Sequence, residues 1–143
     1  MANPIQFHKA DVKYRLLNKE ELSRWLVNVA KREKFRIGEL NIILCSDEYL
    51  YKLNVSYLKH KTYTDIITFD FSQGTSPLSG ELYISLERVM ENADKLGLTT
   101  RDELHRVMVH GLLHLCGYSD KTSSGKAEMR KQEDLYLSLR KFL

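Results

Sequence analysis

A single stretch of eleven residues constrains the fold more than any other, because it places two histidines inside an apolar segment. It runs from 110 to 120 and reads His-Gly-Leu-Leu-His-Leu-Cys-Gly-Tyr-Ser-Asp. His110 and His114 are four residues apart, so on an α-helix their imidazoles lie on one face, one turn apart. A helix that is apolar nearly all round is normally buried, and a buried imidazole needs a partner. A metal ion shared by both rings meets that need, and hydrogen bonds to protein groups are the alternative.

The residues after the second histidine supply a helix end and a third ligand. Gly117 suits the position just past a helix, where φ is usually positive. The chain can then fold back, so Asp120 is predicted to join His110 and His114 as a metal ligand. Three protein ligands leave one position open for water, as in a catalytic zinc site, so we expect metal-bound water rather than a side chain to carry the chemistry. Cys116 points about 160° away from His114 on ideal helix geometry and is left out of the ligand set.

The rest of the chain alternates strand-like and helix-like segments. The predicted strands cover residues 5–8, 40–45, 65–71 and 80–85, and the last two form an antiparallel pair. Helices are predicted to start at Asn18, Ser46, Ser85 and Thr100 and after 123–125. The fold class is therefore α+β, with a mixed sheet of about four strands, about five helices and the histidine-bearing helix packed centrally. At 143 residues, we expect one domain over 1–143.

Three local details complete this prediction. Asn18 with Glu21, and Thr100 with Glu103, match the capping-box pattern of a helix start. The second helix is predicted to turn one face inward, and that face carries Leu50, Leu53 and Tyr57.

Composition narrows the function only slightly. The net charge of +3 permits contact with nucleic acid but does not require it. An apolar run long enough to cross a bilayer is missing, and so is a signal peptide, so we expect a cytoplasmic protein without a membrane partner. Cys45 and Cys116 lie in apolar patterns and are predicted to be buried free thiols, not a disulfide.

The 110–120 stretch resembles the signature of the YbeY family, metal-dependent endoribonucleases of bacterial ribosomal RNA maturation. That signature has three histidines, and Asp120 stands where the third would be. Further resemblances, over about the C-terminal two-thirds of the chain, are Leu53-Asn54, Tyr57, Thr64-Asp65, Phe69, the segment 80–85, Met129 and Glu133. The resemblance implies a zinc-dependent, single-strand-specific endoribonuclease that matures 16S rRNA. Its implied partners are ribosomal RNA, the small ribosomal subunit and ribosome-assembly proteins.

One departure from the family pattern concerns RNA contact. The family's arginine after the tyrosine, which is implicated in activity, is Leu58 here. Lys59 and Lys61 are the candidate RNA-binding residues, although lysine does not reproduce the planar fork of arginine. The alternative is that both are ordinary surface lysines.

Three functions remain to be compared. The first is a metal-dependent endoribonuclease, whose nucleophile is either metal-bound hydroxide or a ribose 2′-hydroxyl. The second is a metalloprotease, but that chemistry needs a glutamate directly after the first histidine, where this chain has Gly111. Glu81 would have to approach in space to replace it. The third is a non-catalytic assembly factor of the small subunit with a structural metal, which the loss of the arginine at Leu58 favours.

Overall fold

The computed structural model describes residues 3–143, and within this range it contains one sheet of four strands. The strands are β1 (Ile5–Lys9), β2 (Ile37–Cys45), β3 (Ile66–Asp70) and β4 (Leu78–Ser85). Their order across the sheet is β1-β2-β4-β3. β2 pairs in parallel with β1 and β4, whereas β3 is antiparallel to β4. The mixed sheet and the antiparallel pair confirm the prediction.

Five α-helices and one π-helical turn accompany the sheet in the described range. They are α1 (Lys19–Arg32), α2 (Asp47–Leu53), the π turn (Asn54–Leu58), α3 (Leu86–Leu96), α4 (Thr100–Leu115) and α5 (Ser123–Ser138). None of these helices is long and apolar enough to cross a membrane.

Helix α4 is at the centre of the core, as the sequence predicted. Ten of its 16 residues are buried, and it packs against α1, α3, α5, β3 and β4. Its closest approach to the sheet is at Gly111, where an added Cβ would lie 2.8 Å from Ile66 Cδ1 and 2.9 Å from both Leu82 methyl groups. A side chain at that position would require Ile66 and Leu82 to repack, so glycine suits this close contact between helix and sheet.

The helix caps agree with the sequence at two positions and differ at two others. Ser46 and Ser85 cap α2 and α3 through their side chains, as predicted. The capping box at Asn18 is wrong, because this residue has φ 57° and its side chain makes no cap hydrogen bond. An N-cap side chain reaches the first-turn amides from extended backbone, not from the left-handed region. α4 is capped by Thr99, one residue before the predicted position, whose hydroxyl accepts from the Asp102 amide at 3.0 Å.

Two further details of the prediction are wrong. α5 begins at Ser123 under a Thr122 cap, so Gly125 lies inside its first turn. Tyr57 was expected on the inward face of the second helix, but it is 69% exposed. The chain changes from α- to π-helical winding at Asn54, and the Tyr57 ring lies against Phe69 of β3, with centroids 6.1 Å apart.

Helix α4 also carries a buried histidine outside the candidate site. His105 is 2% exposed and lies between Trp25 and Phe142, with ring centroids 5.9 and 5.8 Å away. Its Nδ1 accepts from Arg140 Nη1 at 2.8 Å, so the ring is neutral. Burial, and then the positive charge of Arg140, lowers the pKa of His105 to about 4.

This histidine should make stability depend on pH. The pKa of His105 is lower in the folded chain than the ordinary 6.5, so its contribution is complete above pH 6.5 and is lost as the pH falls towards 4. We expect the free energy of unfolding to fall by up to about 3 kcal/mol over that window. Urea titrations at several pH values in this window should show that the free energy of unfolding falls more steeply with decreasing pH in wild type than in His105→Gln. An equal pH dependence in the two proteins would contradict the assignment.

Candidate metal centre

The two histidines predicted as ligands each use one ring nitrogen for a protein hydrogen bond. His110 Nδ1 lies 2.6 Å from Glu133 Oε2, and His114 Nδ1 lies 3.0 Å from the Tyr118 carbonyl oxygen. A carboxylate and a carbonyl can only accept, so both Nδ1 atoms carry the proton. The two Nε2 atoms then present lone pairs to each other across 3.1 Å. Two neutral imidazoles held this way leave room for a cation between them.

Glu133 reaches His110 from α5 and is itself fixed in place. Its carboxylate accepts from Arg106 Nη1 at 3.1 Å, and its side chain is 6% exposed. Burial opposes protonation of His110, but the hydrogen bond and charge of Glu133 outweigh it, so the pKa of His110 is raised. A carboxylate behind a histidine in this way is the usual outer partner of a metal-bound imidazole.

The end of α4 brings the third predicted ligand back to the histidines. Gly117 has φ 104°, its amide donates to the His114 carbonyl, and the Tyr118 amide donates to the Leu113 carbonyl. This pair of hydrogen bonds is a Schellman motif, which reverses the chain after the helix. Asp120 Oδ2 then lies 3.4 Å from His110 Nε2 and 3.6 Å from His114 Nε2. The predicted convergence of the three groups is present in the structure.

The distances fit a metal ion. Ligand atoms at about 2.0–2.1 Å from a tetrahedral zinc are about 3.3 Å apart, and here the three separations are 3.1, 3.4 and 3.6 Å. Two imidazole lone pairs and a carboxylate oxygen are donors that zinc accepts. His110, His114 and Asp120 are the group in the described range that could hold a metal ion. Cys116 is not part of it, and burial raises the pKa of its thiol to about 12.

The turn that carries Asp120 is tied to the opposite side of the molecule. The Tyr118 hydroxyl donates to Glu33 Oε1 at 2.9 Å, and the Tyr136 hydroxyl donates to Oε2 of the same carboxylate. Burial and this hydrogen bond raise the pKa of Tyr118 to about 12. Tyr118 therefore holds His114 with its carbonyl while its ring is fixed by Glu33 at the end of α1.

Two grooves, of about 480 and 510 Å³, meet at His110 and Asp120, and His114 lines the larger of the two. Both are lined by His110, Asp120 and Asp65. Burial raises the pKa of Asp65, against the opposing charge of His110. Sequence reasoning did not assign Asp65 to the site, although its place in the Thr64-Asp65 motif was a signal for it. Glu133 was likewise identified only as part of a family motif, and its contact with His110 was not predicted.

The candidate RNA-binding lysines lie beside the site but outside the groove wall. Lys59 ends the π turn with φ 56°, and Lys61 follows on the same exposed segment. The wall of the larger groove is formed there by Leu58, His60 and their neighbours instead. The structure therefore places the two lysines at the rim.

These features define a small mixed-sheet domain with a candidate metal centre at the end of its central helix. The family model described as Endoribonuclease YbeY matches residues 5–140. The endoribonuclease YbeY of Cytophaga hutchinsonii is 52% identical over 138 residues, which cover 96% of each chain. That of Bacteroides thetaiotaomicron is 43% identical over 136 residues, covering 95% of this chain and 98% of the relative. The chain belongs to the YbeY family, as the resemblance indicated.

A solved structure supports the same fold. The solution structure of a Thermotoga maritima protein has a TM-score of 0.65 to this chain at 27% identity. The matched region covers 94% of this chain and 87% of the Thermotoga maritima chain.

The anchoring of the Asp120 turn can be tested without metal. Tyr118→Phe removes the hydroxyl that donates to Glu33, so we expect a loss of about 1 kcal/mol in the free energy of unfolding and faster hydrogen exchange at the Gly117 and Tyr118 amides. Tyr136→Phe is the matched control, because it takes the other hydroxyl from the same carboxylate without touching the turn. Equal acceleration of those amides in both variants would contradict a specific anchor at Tyr118.

Proposed function

We propose that this chain is a metal-dependent endoribonuclease that cleaves single-stranded RNA and takes part in maturing 16S rRNA on the small ribosomal subunit in the cytoplasm. The observation that carries the proposal is the convergence of His110, His114 and Asp120 in an open groove of a chain from the endoribonuclease YbeY family. Ribosome-assembly proteins are its further expected partners.

The proposed cofactor is one Zn²⁺ per chain, held by His110, His114 and Asp120. When bound, the ion would acidify a water ligand and neutralise charge on the phosphate oxygens. Glu133 keeps the His110 proton on Nδ1, and the Tyr118 carbonyl does the same for His114, so both Nε2 atoms stay available. Asp65 is the carboxyl group of the groove proposed to exchange a proton with the substrate.

The alternative function is a small-subunit assembly factor that no longer cleaves RNA. Leu58 favours it, because an apolar side chain at the groove replaces the arginine of the family pattern. The metalloprotease is disfavoured by the packing of α4. Gly111 supplies no carboxylate and faces Ile66 and Leu82 of the sheet. Glu81 is on a strand position whose neighbours Gly80 and Leu82 face α4, so its own side chain is on the opposite face.

Metal loading and cleavage should depend on the same residues. We expect protein purified without chelator to carry about one equivalent of zinc, and His114→Ala to carry none. Chelator should stop the cleavage of single-stranded RNA, and zinc should restore it. Asp120→Asn should lose activity because an amide is a poorer ligand, whereas Asp120→His should stay within about tenfold of wild type. Elemental analysis measures the metal content, and a gel assay measures the cleavage of RNA.

A control and two outcomes decide between the functions. Asp70→Asn changes another carboxylate of the same groove and should leave metal loading intact. Cleavage that persists in chelator or in His110→Ala would exclude this site. Protein that is fully loaded with metal and binds the small subunit tightly, but cleaves no RNA, would establish the assembly factor. If Leu58→Arg then gained cleavage, Leu58 would be identified as the cause of the lost activity.

The rim lysines should contribute to RNA affinity through phosphate contacts. Replacing Lys59 and Lys61 with alanine should flatten the dependence of log K on log salt by up to about 1.4 units, which is about 0.7 per contact on single strands. Lys13 and Lys19, which line a separate surface groove, are the matched control pair and should leave the slope unchanged. An unchanged slope in the first pair would place the RNA elsewhere.

A further inference from the structure

An exposed tyrosine lies at the edge strand β3, next in sequence to a residue that lines the metal groove. Tyr57 is 69% exposed, and Leu58, which follows it and lines the groove, is 42% exposed. Both belong to the π turn that follows α2. π turns are rare in proteins and are frequent at functional sites. Both side chains are open to solvent at the edge strand β3. Leu58 lines the groove, and Tyr57 lies against Phe69, which pairs with Glu81 on the sheet face away from α4.

This exposed pair is held on a fixed support. The Tyr57 ring makes an edge-to-face contact with Phe69 of β3, with centroids 6.1 Å apart and planes at 84°. Below it, the buried Asn54 accepts from the His60 amide at 3.1 Å and donates to the Thr62 carbonyl at 2.8 Å. A ring held by one edge-to-face contact and exposed over most of its surface offers a place for another flat group to stack.

The charges around the pair indicate what that flat group belongs to. Lys59 and Lys61 follow within four residues and are exposed, so the segment presents cations next to an aromatic ring. Aromatic rings beside basic side chains are the usual surface for single-stranded nucleic acid, because bases stack while phosphates meet the cations. The groove beyond contains carboxylates, including Asp65 and Asp70, which repel a phosphate backbone until a metal offsets them.

We propose that Tyr57 and Leu58 form a ledge at the edge strand β3, on which an unpaired base of single-stranded RNA stacks where the RNA leaves the metal groove, with Lys59 and Lys61 at the neighbouring phosphates. The proposal rests on the proposed RNA substrate and adds a base contact to it. Stacking tolerates any base, so the ledge favours unpaired RNA over a duplex without reading its sequence.

The test is the binding of a single-stranded oligoribonucleotide that carries 2-aminopurine, followed by fluorescence, with its intactness checked on a gel. Tyr57→Leu should weaken binding by about 5- to 150-fold and abolish the stacking signal, whereas Tyr57→Phe should keep both. The slope of log K against log salt should stay at the wild-type value in Tyr57→Leu, because stacking releases no counterions. This separates the ledge from the lysines, whose replacement changes the slope.

The matched control is another exposed tyrosine of the same segment. Tyr63 is 51% exposed, but its ring already stacks on Tyr51 with centroids 4.4 Å apart, and the Arg88 guanidinium lies 5.6 Å from its centre. Tyr63→Leu should therefore leave RNA affinity within about twofold of wild type. An abasic oligonucleotide should bind wild type and Tyr57→Leu equally.

The outcomes distinguish this proposal from the function on which it rests. If wild type binds and cleaves single-stranded RNA while Tyr57→Leu binds it equally well, the ledge is refuted and the nuclease stands. If wild type binds no single-stranded RNA, both fail. Unchanged RNA affinity together with lost binding to protein components of the small subunit would assign Tyr57 to a protein contact and would also overturn the ledge.

Discussion

The close contact between α4 and the sheet at Gly111 determines where the candidate ligands can lie. An added Cβ would be under 3 Å from Ile66 Cδ1 and the Leu82 methyl groups, so these two side chains would have to shift to admit a larger residue. Together with Leu115, whose Cδ2 packs against Gly80, Gly111 marks the face that α4 turns towards the sheet. His110 and His114 then point along the groove beside β3, where solvent and a substrate can reach them. Because one face of α4 packs tightly against the sheet, the polar side chains on the adjacent face of the same helix are oriented towards the groove.

The rest of the site depends on elements distant in sequence. His110 needs Glu133 from α5, and α5 is in turn attached to α1 by the hydrogen bond from Trp25 Nε1 to the Tyr136 carbonyl at 2.8 Å. The sequence offered either a metal or protein hydrogen bonds as partners of the buried imidazoles. The structure shows that one ring nitrogen of each makes the hydrogen bond, which leaves the other for a metal.

Periodicity and end signals were enough to predict the strands, the central helix and the turn at Gly117, because these depend on residues close in sequence. The partners of the ligands were not predictable in this way, since His110 and Glu133 are 23 residues apart and meet only when α4 and α5 pack. The π turn was missed for a related reason. The apolar pattern through Leu53 and Tyr57 fits an α-helix equally well, and the hydrogen bonds of Asn54 to the following segment decide between the two.

Asp120 in place of a third histidine changes the electrostatics of the whole groove. Two neutral imidazoles and one carboxylate would leave a divalent ion with a net charge of about +1, compared with about +2 for three imidazoles. Asp65 and Asp70 lower the local potential further, so the groove itself attracts a phosphate backbone weakly. Leu58 adds no cation to offset this. The cations nearest in sequence are Lys59 and Lys61 at the rim, so phosphate attraction in this chain is displaced from the bottom of the groove to its edge.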